Sequence, residues 1–547
     1  MMKISSLFLI IVSVLTIHHA TAQTGAPKPK IVVGIVVDQM RQEYIYKFQE
    51  RYADGGFNRL VREGYMMKNA HYNYIPTYTG PGHASVYTGT TPSTHGIIGN
   101  DWFVRKLNGT IYCAGDSTVS NVGGSLNSGQ ISPRNMLTTT ITDELRFSSN
   151  KRSKVVGVAI KDRGAALPAG HLGDAYWFDA STGEFMTSTY YYNELPDWVK
   201  EFNNRRLPEA YLSQSWQTLY PIDSYIQSIE DTNDFEGTFT GKETTDFPYH
   251  LPDLMESNGG LGLISTTPFG NSLTLDMAYA AIEGEQLGMG DETDFLAVSF
   301  SSPDYIGHKF GPTSVELEDN YLRLDLELEK FLNYLDSTYG ENEYLVFLTA
   351  DHGVAEIVEY MQSENVPAGR LNSRFITTQL KGFTNQMYGE GEWISNVSNE
   401  QIYLNKDLAK EKGLDLEEMQ KDLAEFVLRF DGIKEAYTAS DLKRMSYTEG
   451  RKHLLQMGFN HKASGDVMMV LEPGWLSSTW KGTTHGTGFN YDTHVPVIFY
   501  GWNVPQGESA AYCTITDIAP TLSMMLGIRL PNGASGSPIL PISDIKQ

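Results

Sequence analysis

Three short segments far apart in the chain carry residue types suited to metal chemistry: Asp304-Tyr-Ile-Gly-His308, Asp351-His352-Gly353 and Thr484-His485-Gly486-Thr487. With Asp38 they offer three carboxylates and three imidazoles, enough to hold two zinc-like ions with three protein ligands each. Three protein ligands leave positions open for water or substrate, which is the catalytic pattern; structural zinc is usually closed by four. A single strand-end Asp is more often a helix cap, and a single His a packed core residue, so the reading rests on the set rather than on any member.

A nucleophile candidate lies upstream. Ile75-Pro-Thr77-Tyr-Thr79-Gly-Pro-Gly82-His83-Ala-Ser85 reads as a loop entering a helix, where free backbone N–H groups and the positive end of the helix dipole favour an anion. Thr79 is the best placed hydroxyl. Coordination to a cation lowers a hydroxyl pKa, so Thr79 needs no histidine base if it reaches a metal. His83 and His95 are assigned structural roles, because six better ligands are already present.

These residues need elements that bring them together. Four apolar, β-branched runs each end close to a charged residue: Ile31 to Val37 before Asp38, Val155 to Ile160 before Lys161, Phe295 to Phe300 before Asp304, and Leu345 to Leu348 before Asp351. Continuous apolarity suits strands buried on both faces, hence an α/β fold with a mostly parallel sheet between layers of helices. Ligands of such sheets bind at the carboxyl ends of the strands, so all four charged residues should gather on one edge. Val495 to Tyr500 reads as a further strand, and Thr516-Asp517 as the capped start of a final helix. Two stretches fit the sheet poorly and are expected to be insertions, near 167–276 and 355–482. The second contains a helical pattern from Leu416 to Phe430 and a strand from Val467 to Leu471, the makings of a small α+β cap.

The chain has 547 residues, 66 acidic and 42 basic, with a formal charge of −24 and 41% apolar side chains. That supports a large core and excludes disorder as the main state. The negative field disfavours binding along a nucleic-acid polymer. Met1 to Ala22 reads as a secretory signal, with Lys3, an apolar stretch from Leu7 to Ile17 and the small-residue site Ala20-Thr21-Ala22. The mature chain, 23–547, carries no segment suited to span a bilayer and is expected to be periplasmic or secreted, as a monomer. Cys113 and Cys513 are the two cysteines; they exclude a disulfide framework and leave room for one long-range bridge.

In their order along the chain, Asp38, Thr79-Gly-Pro-Gly-His83, Asp304-x-x-x-His308, Asp351-His352-Gly353 and His485-Gly-Thr resemble the alkaline phosphatase superfamily, and more narrowly its phosphate-irrepressible, PafA-type alkaline phosphatases. The resemblance spans nearly the whole mature chain. It implies an alkaline-phosphatase-like sandwich with inserted cap segments and two Zn²⁺ per chain. Asp38, Asp351 and His352 would hold the ion that activates Thr79, and Asp304, His308 and His485 the ion that meets the leaving group. It further implies that Asn100, in Gly96-Ile-Ile-Gly-Asn100, binds phosphate oxygens together with Lys161 and Arg163.

Lys161-Asp162-Arg163 also speaks for itself. On an extended segment Lys161 and Arg163 point the same way and Asp162 the other, so both cations could meet one phosphoryl group. A monoester carries one more negative charge on that group than a diester, which calls for such extra donors. The expected activity is therefore hydrolysis of small phosphate monoesters through a covalent phosphothreonine, with broad leaving-group tolerance. The rivals are a nucleotide or lipid phosphodiesterase on the same scaffold, disfavoured by Lys161 and Arg163, and a phosphate or metal scavenger without turnover, disfavoured by Thr79.

Overall fold

The computed structural model describes residues 28–126, 128–478 and 481–543; the leader expected over Met1 to Ala22 lies outside them. All seven residues of strand Ile31–Val37 are buried, as an apolar run flanked on both faces demands. The strand pairs in parallel with Asp294–Phe300 on one side and Tyr344–Thr349 on the other. Parallel pairing continues from Asp294–Phe300 to Val155–Ala159 and on to Asp174–Asp179. In lateral order, Asp351, Asp38, Asp304 and Lys161 thus follow four adjacent strands, and the expected shared edge is present.

One reversed strand brings the remaining motif to that edge. His494–Gly501 runs antiparallel to Tyr344–Thr349, so its beginning lies where the parallel strands end. The segment carrying His485 leads into it and arrives on the same side. Tyr65–His71 is antiparallel to His494–Gly501 and therefore ends on that edge too, delivering the chain to Thr79. Gly507–Thr514 closes this side of a ten-stranded sheet.

Not all of 167–276 stands apart from the sheet. Asp174–Asp179 and Glu184–Ser188 extend it beyond Val155–Ala159, with Asn121–Val122 at the far edge. Their aromatic residues, Tyr176, Trp177, Phe178 and Phe185, take the buried places that β-branched residues hold elsewhere. Within 355–482 a second, four-stranded antiparallel sheet forms from Ile394–Ser398, Gln401–Leu404, Val467–Leu471 and Ile433–Thr438. Helix Leu416–Val427 packs on it through Met419, Leu423 and Val427, in a hydrophobic cluster of its own. The final helix, Ile518–Leu526, is entered through a 3₁₀ turn whose reciprocal cap joins Thr514 and Asp517, one turn earlier than Thr516-Asp517 suggests. Cys113 and Cys513 are both free and buried. They belong to separate hydrophobic clusters, which rules out the long-range bridge in this conformation.

The loop 229–250 is locked onto helix Val315–Tyr339 by buried acids. The Tyr249 hydroxyl lies within hydrogen-bond reach of both the Glu316 carboxyl and the Thr245 carbonyl. A phenol has one proton and can donate to one of them, so a neutral Glu316 must donate to the phenol oxygen while the phenol donates to Thr245. Burial pushes Glu316 up to about 8. Burial and neighbouring Glu316 push Glu236 up to about 10. Both folded values exceed the ordinary 4.5, so the folded state keeps protons that the unfolded chain has lost. The contribution of these two protons to stability is fully present below pH 4.5 and declines as pH rises toward 8, by up to about 1.4 kcal/mol per pH unit for each. Glu316→Gln keeps a donor without a titrating proton, and its unfolding free energy should rise relative to the parent between pH 5 and 8, read by urea unfolding of both proteins. Parallel profiles would mean that Glu316 is ionised in the fold.

Candidate active site

At the strand-end edge the expected ligands converge in two overlapping groups. Donor atoms of Asp38, Asp351 and His352 lie within 4.8 Å of one another. His352 Nε2 is 3.5 Å from Asp38 Oδ1 and 3.6 Å from Asp351 Oδ2. The other such group is Asp304, His352 and His485; Asp304 Oδ1 is 3.6 Å from His485 Nε2 and 3.1 Å from Nε2 of His308, the ligand expected in place of His352. The His352 and His485 rings stack at 3.5 Å, so the groups share a wall. Asp304 and His308 sit four residues apart on helix Ser302–Phe310, on one face as that spacing requires.

Each imidazole is oriented by the backbone. Nδ1 of His308, His352 and His485 lies 2.7–2.9 Å from the carbonyls of Thr483, Gly353 and Thr77 respectively. A carbonyl accepts only, so each Nδ1 carries a proton; the Nε2 lone pairs of His352 and His485 face the carboxylates, whereas at His308 the effect of burial is outweighed by attraction to Asp304, which raises its pKa and favours a proton on Nε2 as well.

Electrostatics favours cations here. Burial, then repulsion from Asp304, raises the Asp38 carboxyl, and burial with repulsion from Asp38 holds Asp351 well above the carboxylate range. Burial opposes ionisation of Asp304 as well, yet His308 and Lys161 pull it well below that range. Burial brings His352 down to about 3, and burial beside His352 and His308 holds His485 well below its ordinary value, so both rings are neutral. Asp38 Oδ1 and Asp351 Oδ2 are buried without a hydrogen-bond partner. Crowded carboxylates, orphaned oxygens and neutral Nε2 donors are what a divalent ion of the zinc type satisfies.

Thr79 opens helix Thr79–Thr88, with its Oγ1 3.4 Å from His352 Nε2. The helix reaches so deep because of its glycines. A Cβ on Gly82 would sit 2.3 Å from the Asp351 carbonyl oxygen, and one on Gly80 would sit 2.9 Å from Cys113 Sγ. His83 holds the turn, with Nδ1 2.9 Å from the Thr79 carbonyl and Nε2 2.9 Å from Ser299 Oγ. His95 Nε2 is 2.9 Å from Ser85 Oγ. Both histidines are thus occupied as structural residues. Asn100 Oδ1 accepts from the Gly80 N–H at 2.7 Å, which turns its amide nitrogen away from the helix.

Lys161 and Arg163 are close to the site but not as an extended segment. Lys161 caps helix Asp162–Ala169, and Arg163 is its second residue. The helix turn, not strand alternation, sets their directions. Asp162 does not point away; it accepts from the Tyr112 hydroxyl and from the Arg163 N–H. Lys161 Nζ donates to Asp38 Oδ2 at 2.7 Å and to Asp304, one carboxylate from each group. Lys161, Arg163, Tyr112, Trp177, Phe178 and Tyr305 line one cleft of about 700 Å³.

Two supporting residues carry no sequence signal. Gln39 adopts a left-handed backbone, φ 69°, immediately after Asp38. Its N–H donates to Asp351 Oδ1 at 3.1 Å and its amide to Asp304 Oδ1 at 2.6 Å, tying the groups together. A strained non-glycine residue persists where surrounding contacts over-determine it. Asp492 accepts from the N–H groups of Gly486 and Thr487 and from the Thr487 hydroxyl, which shapes the His485 loop.

The family model for type I phosphodiesterase / nucleotide pyrophosphatase matches residues 32–495. The chain is 44% identical over 531 residues to alkaline phosphatase PafA of Elizabethkingia meningoseptica, covering 96% of each chain. It is 44% identical over 515 residues to alkaline phosphatase PhoV of Synechococcus elongatus, covering 94% of this chain and 92% of that one. The crystal structure of wild-type PafA superposes with a TM-score of 0.91, over 94% of this chain and 99% of that one. The α/β sandwich expected from the sequence is the architecture of that protein.

The closeness of the Thr79 turn to Asp351 is testable without metal. Gly82→Ala should destabilise the metal-stripped protein by about 1–3 kcal/mol, the usual cost of overpacking, read by thermal unfolding. An unchanged midpoint would mean that the turn does not press on Asp351.

Proposed function

The chain belongs to the type I phosphodiesterase / nucleotide pyrophosphatase family and to that of the PafA and PhoV alkaline phosphatases, and from that premise we propose that it is an exported, two-zinc phosphate monoesterase. One observation carries the reading: the Thr79 hydroxyl, at the first turn of a buried helix, lies 3.4 Å from His352, which belongs to both three-donor groups, with Asn100 held on the neighbouring Gly80 N–H. Asp38, Asp351 and His352, with Thr79, would hold one ion, and Asp304, His308 and His485 the other. Ions held there supply positive charge that favours the ionised form of a hydroxyl and neutralises a departing oxygen.

The remaining work falls to the chain. Thr79 Oγ forms a bond to phosphorus as the ester oxygen leaves with its electron pair, giving a phosphothreonine; water then cleaves that bond and frees phosphate. The Gly80 contact on Asn100 Oδ1 leaves the amide N–H groups to meet a phosphoryl oxygen. Arg163 offers planar donors to the same group, and Lys161, lying at the seam of the two ligand groups, balances its charge. With these contacts made to the phosphoryl group, the open aromatic cleft is free to accept varied alcohols. In this reading 23–547 is one catalytic domain, with the elaborations within 167–276 and 355–482 set around the cleft. Among the described residues no helix is long and apolar enough to cross a membrane.

Thr79→Ala should abolish burst-phase phosphothreonine while bound zinc, measured by elemental analysis, stays near the parent level; equal loss of metal would make Thr79 a structural residue. Arg163→Ala or Lys161→Ala should cost on the order of a few kcal/mol in kcat/KM for an aryl phosphate monoester, and much less for its methyl diester. Equal losses would remove the assigned role, and a parent preference for the diester would make the protein a phosphodiesterase.

A further inference from the structure

Arg163 is held by a residue outside its own element. Its Nη1 donates to the Tyr112 hydroxyl at 3.1 Å, and that hydroxyl donates to Asp162 Oδ1, which also receives the Arg163 N–H. The three groups form a closed ring of three hydrogen bonds through the Tyr112 hydroxyl and Asp162 Oδ1. The ring fixes one side of the guanidinium, while Nε on the other side is buried without a partner. A planar fork with one edge occupied and its remaining donors unclaimed is oriented for a ligand.

Tyr112 ends a hairpin whose other end carries Asn100. Strands Asp101–Val104 and Gly109–Tyr112 pair so that Asp101 faces Tyr112, and the Cys113 N–H donates to the Asn100 carbonyl at 2.8 Å. Asn135 clamps the exit of the hairpin through the carbonyls of Tyr112, Cys113 and Gly115. Asn100 in turn accepts from Gly80, next to Thr79. One short hairpin therefore touches the nucleophile turn, supplies Asn100 and grips Arg163.

We propose that Tyr112 is a positioning residue for Arg163, and that this hairpin fixes Asn100 and Arg163 relative to each other as one phosphoryl clamp. The inference rests on the reading of Arg163 as a phosphoryl-binding group. Without the Tyr112 hydroxyl the guanidinium keeps its charge but loses its aim, so the loss should fall on the doubly charged monoester and spare the diester.

The test uses the full, zinc-loaded enzyme and four proteins: parent, Tyr112→Phe, Arg163→Ala and the double variant. Tyr112→Phe keeps the ring and its packing. It should lower kcat/KM for an aryl phosphate monoester on the order of tenfold, weaken inhibition by inorganic phosphate, and leave the methyl diester unchanged. In the Arg163→Ala background it should have no further effect. Asp162→Asn, which weakens the other partner of the ring, should show a smaller loss with the same selectivity. Equal losses on both esters, or an undiminished loss in the Arg163→Ala background, would overturn the proposal by making Tyr112 a general structural residue. An effect of Arg163→Ala with none of Tyr112→Phe would overturn it alone; no effect of Arg163→Ala would overturn it together with the assignment of Arg163.

Discussion

Three buried carboxylates on one sheet edge are the constraint from which the rest of the molecule follows. Asp38 and Asp351 follow adjacent strands and lie within 4.8 Å of each other, and Asp304 comes from the helix that follows the next strand, joined to Asp38 through Lys161. Charges buried at that distance must be neutralised, by protons, by Lys161 or by divalent cations. Lys161 reaches Asp38 and Asp304, and Gln39 spans Asp304 and Asp351, yet Asp38 Oδ1 and Asp351 Oδ2 stay without partners. The surrounding backbone finishes the arrangement by accepting from Nδ1 of three histidines and turning their Nε2 atoms inward.

The sheet direction decides which segments can join. Parallel strands deliver their carboxyl ends to a single edge, and the reversed strand His494–Gly501 delivers its beginning there, so His485 arrives from the C-terminal part of the chain. Thr79 comes by the same logic from the end of Tyr65–His71. Glycine at 80 and 82 then lets the nucleophile turn press against Asn100 and Asp351. Chain direction and two absent side chains thus set the reach of one hydroxyl.

What could be read in the sequence was whatever had a local signature. Apolar runs ending in Asp or Lys mark parallel strands, and short Asp-His, Asp-x-x-x-His and His-Gly spacings mark ligands; the structure brings them together. What could not be read depends on tertiary contacts. Gln39 in a left-handed conformation has no signature, since nothing next to it reveals that two distant carboxylates hold it. Strands Asp174–Asp179 and Glu184–Ser188 were obscured because aromatic residues between polar ones resemble a decorated loop until the sheet covers them. Lys161 and Arg163 converge on one cleft through a helix cap and first turn rather than through strand alternation, so proximity followed from the sequence but geometry did not. Tyr112 was invisible because its hydroxyl matters only once the hairpin folds back on Asp162.

In the proposed reading the residues assigned to the ions and those assigned to the phosphoryl group come from different parts of the fold, and that separation bears on substrate choice. Carboxylates and imidazoles lie just beyond strand ends, on helix Ser302–Phe310 and on the His485 loop, whereas Asn100 and the grip on Arg163 belong to the Asp101–Tyr112 hairpin and the first turn of helix Asp162–Ala169. On that reading, a family whose description names phosphodiesterases and pyrophosphatases could keep one metal site and change substrate class by altering donors that touch no metal. In this chain Asn399 on the second sheet also donates to the Asp101 carbonyl at 2.7 Å, so the α+β insertion braces the hairpin from outside. The insertion thus braces the hairpin that carries Asn100 and Tyr112, and it reaches the Thr79 side as well, where Glu400 accepts from the Tyr78 hydroxyl and the Tyr78 ring packs edge-on against His485.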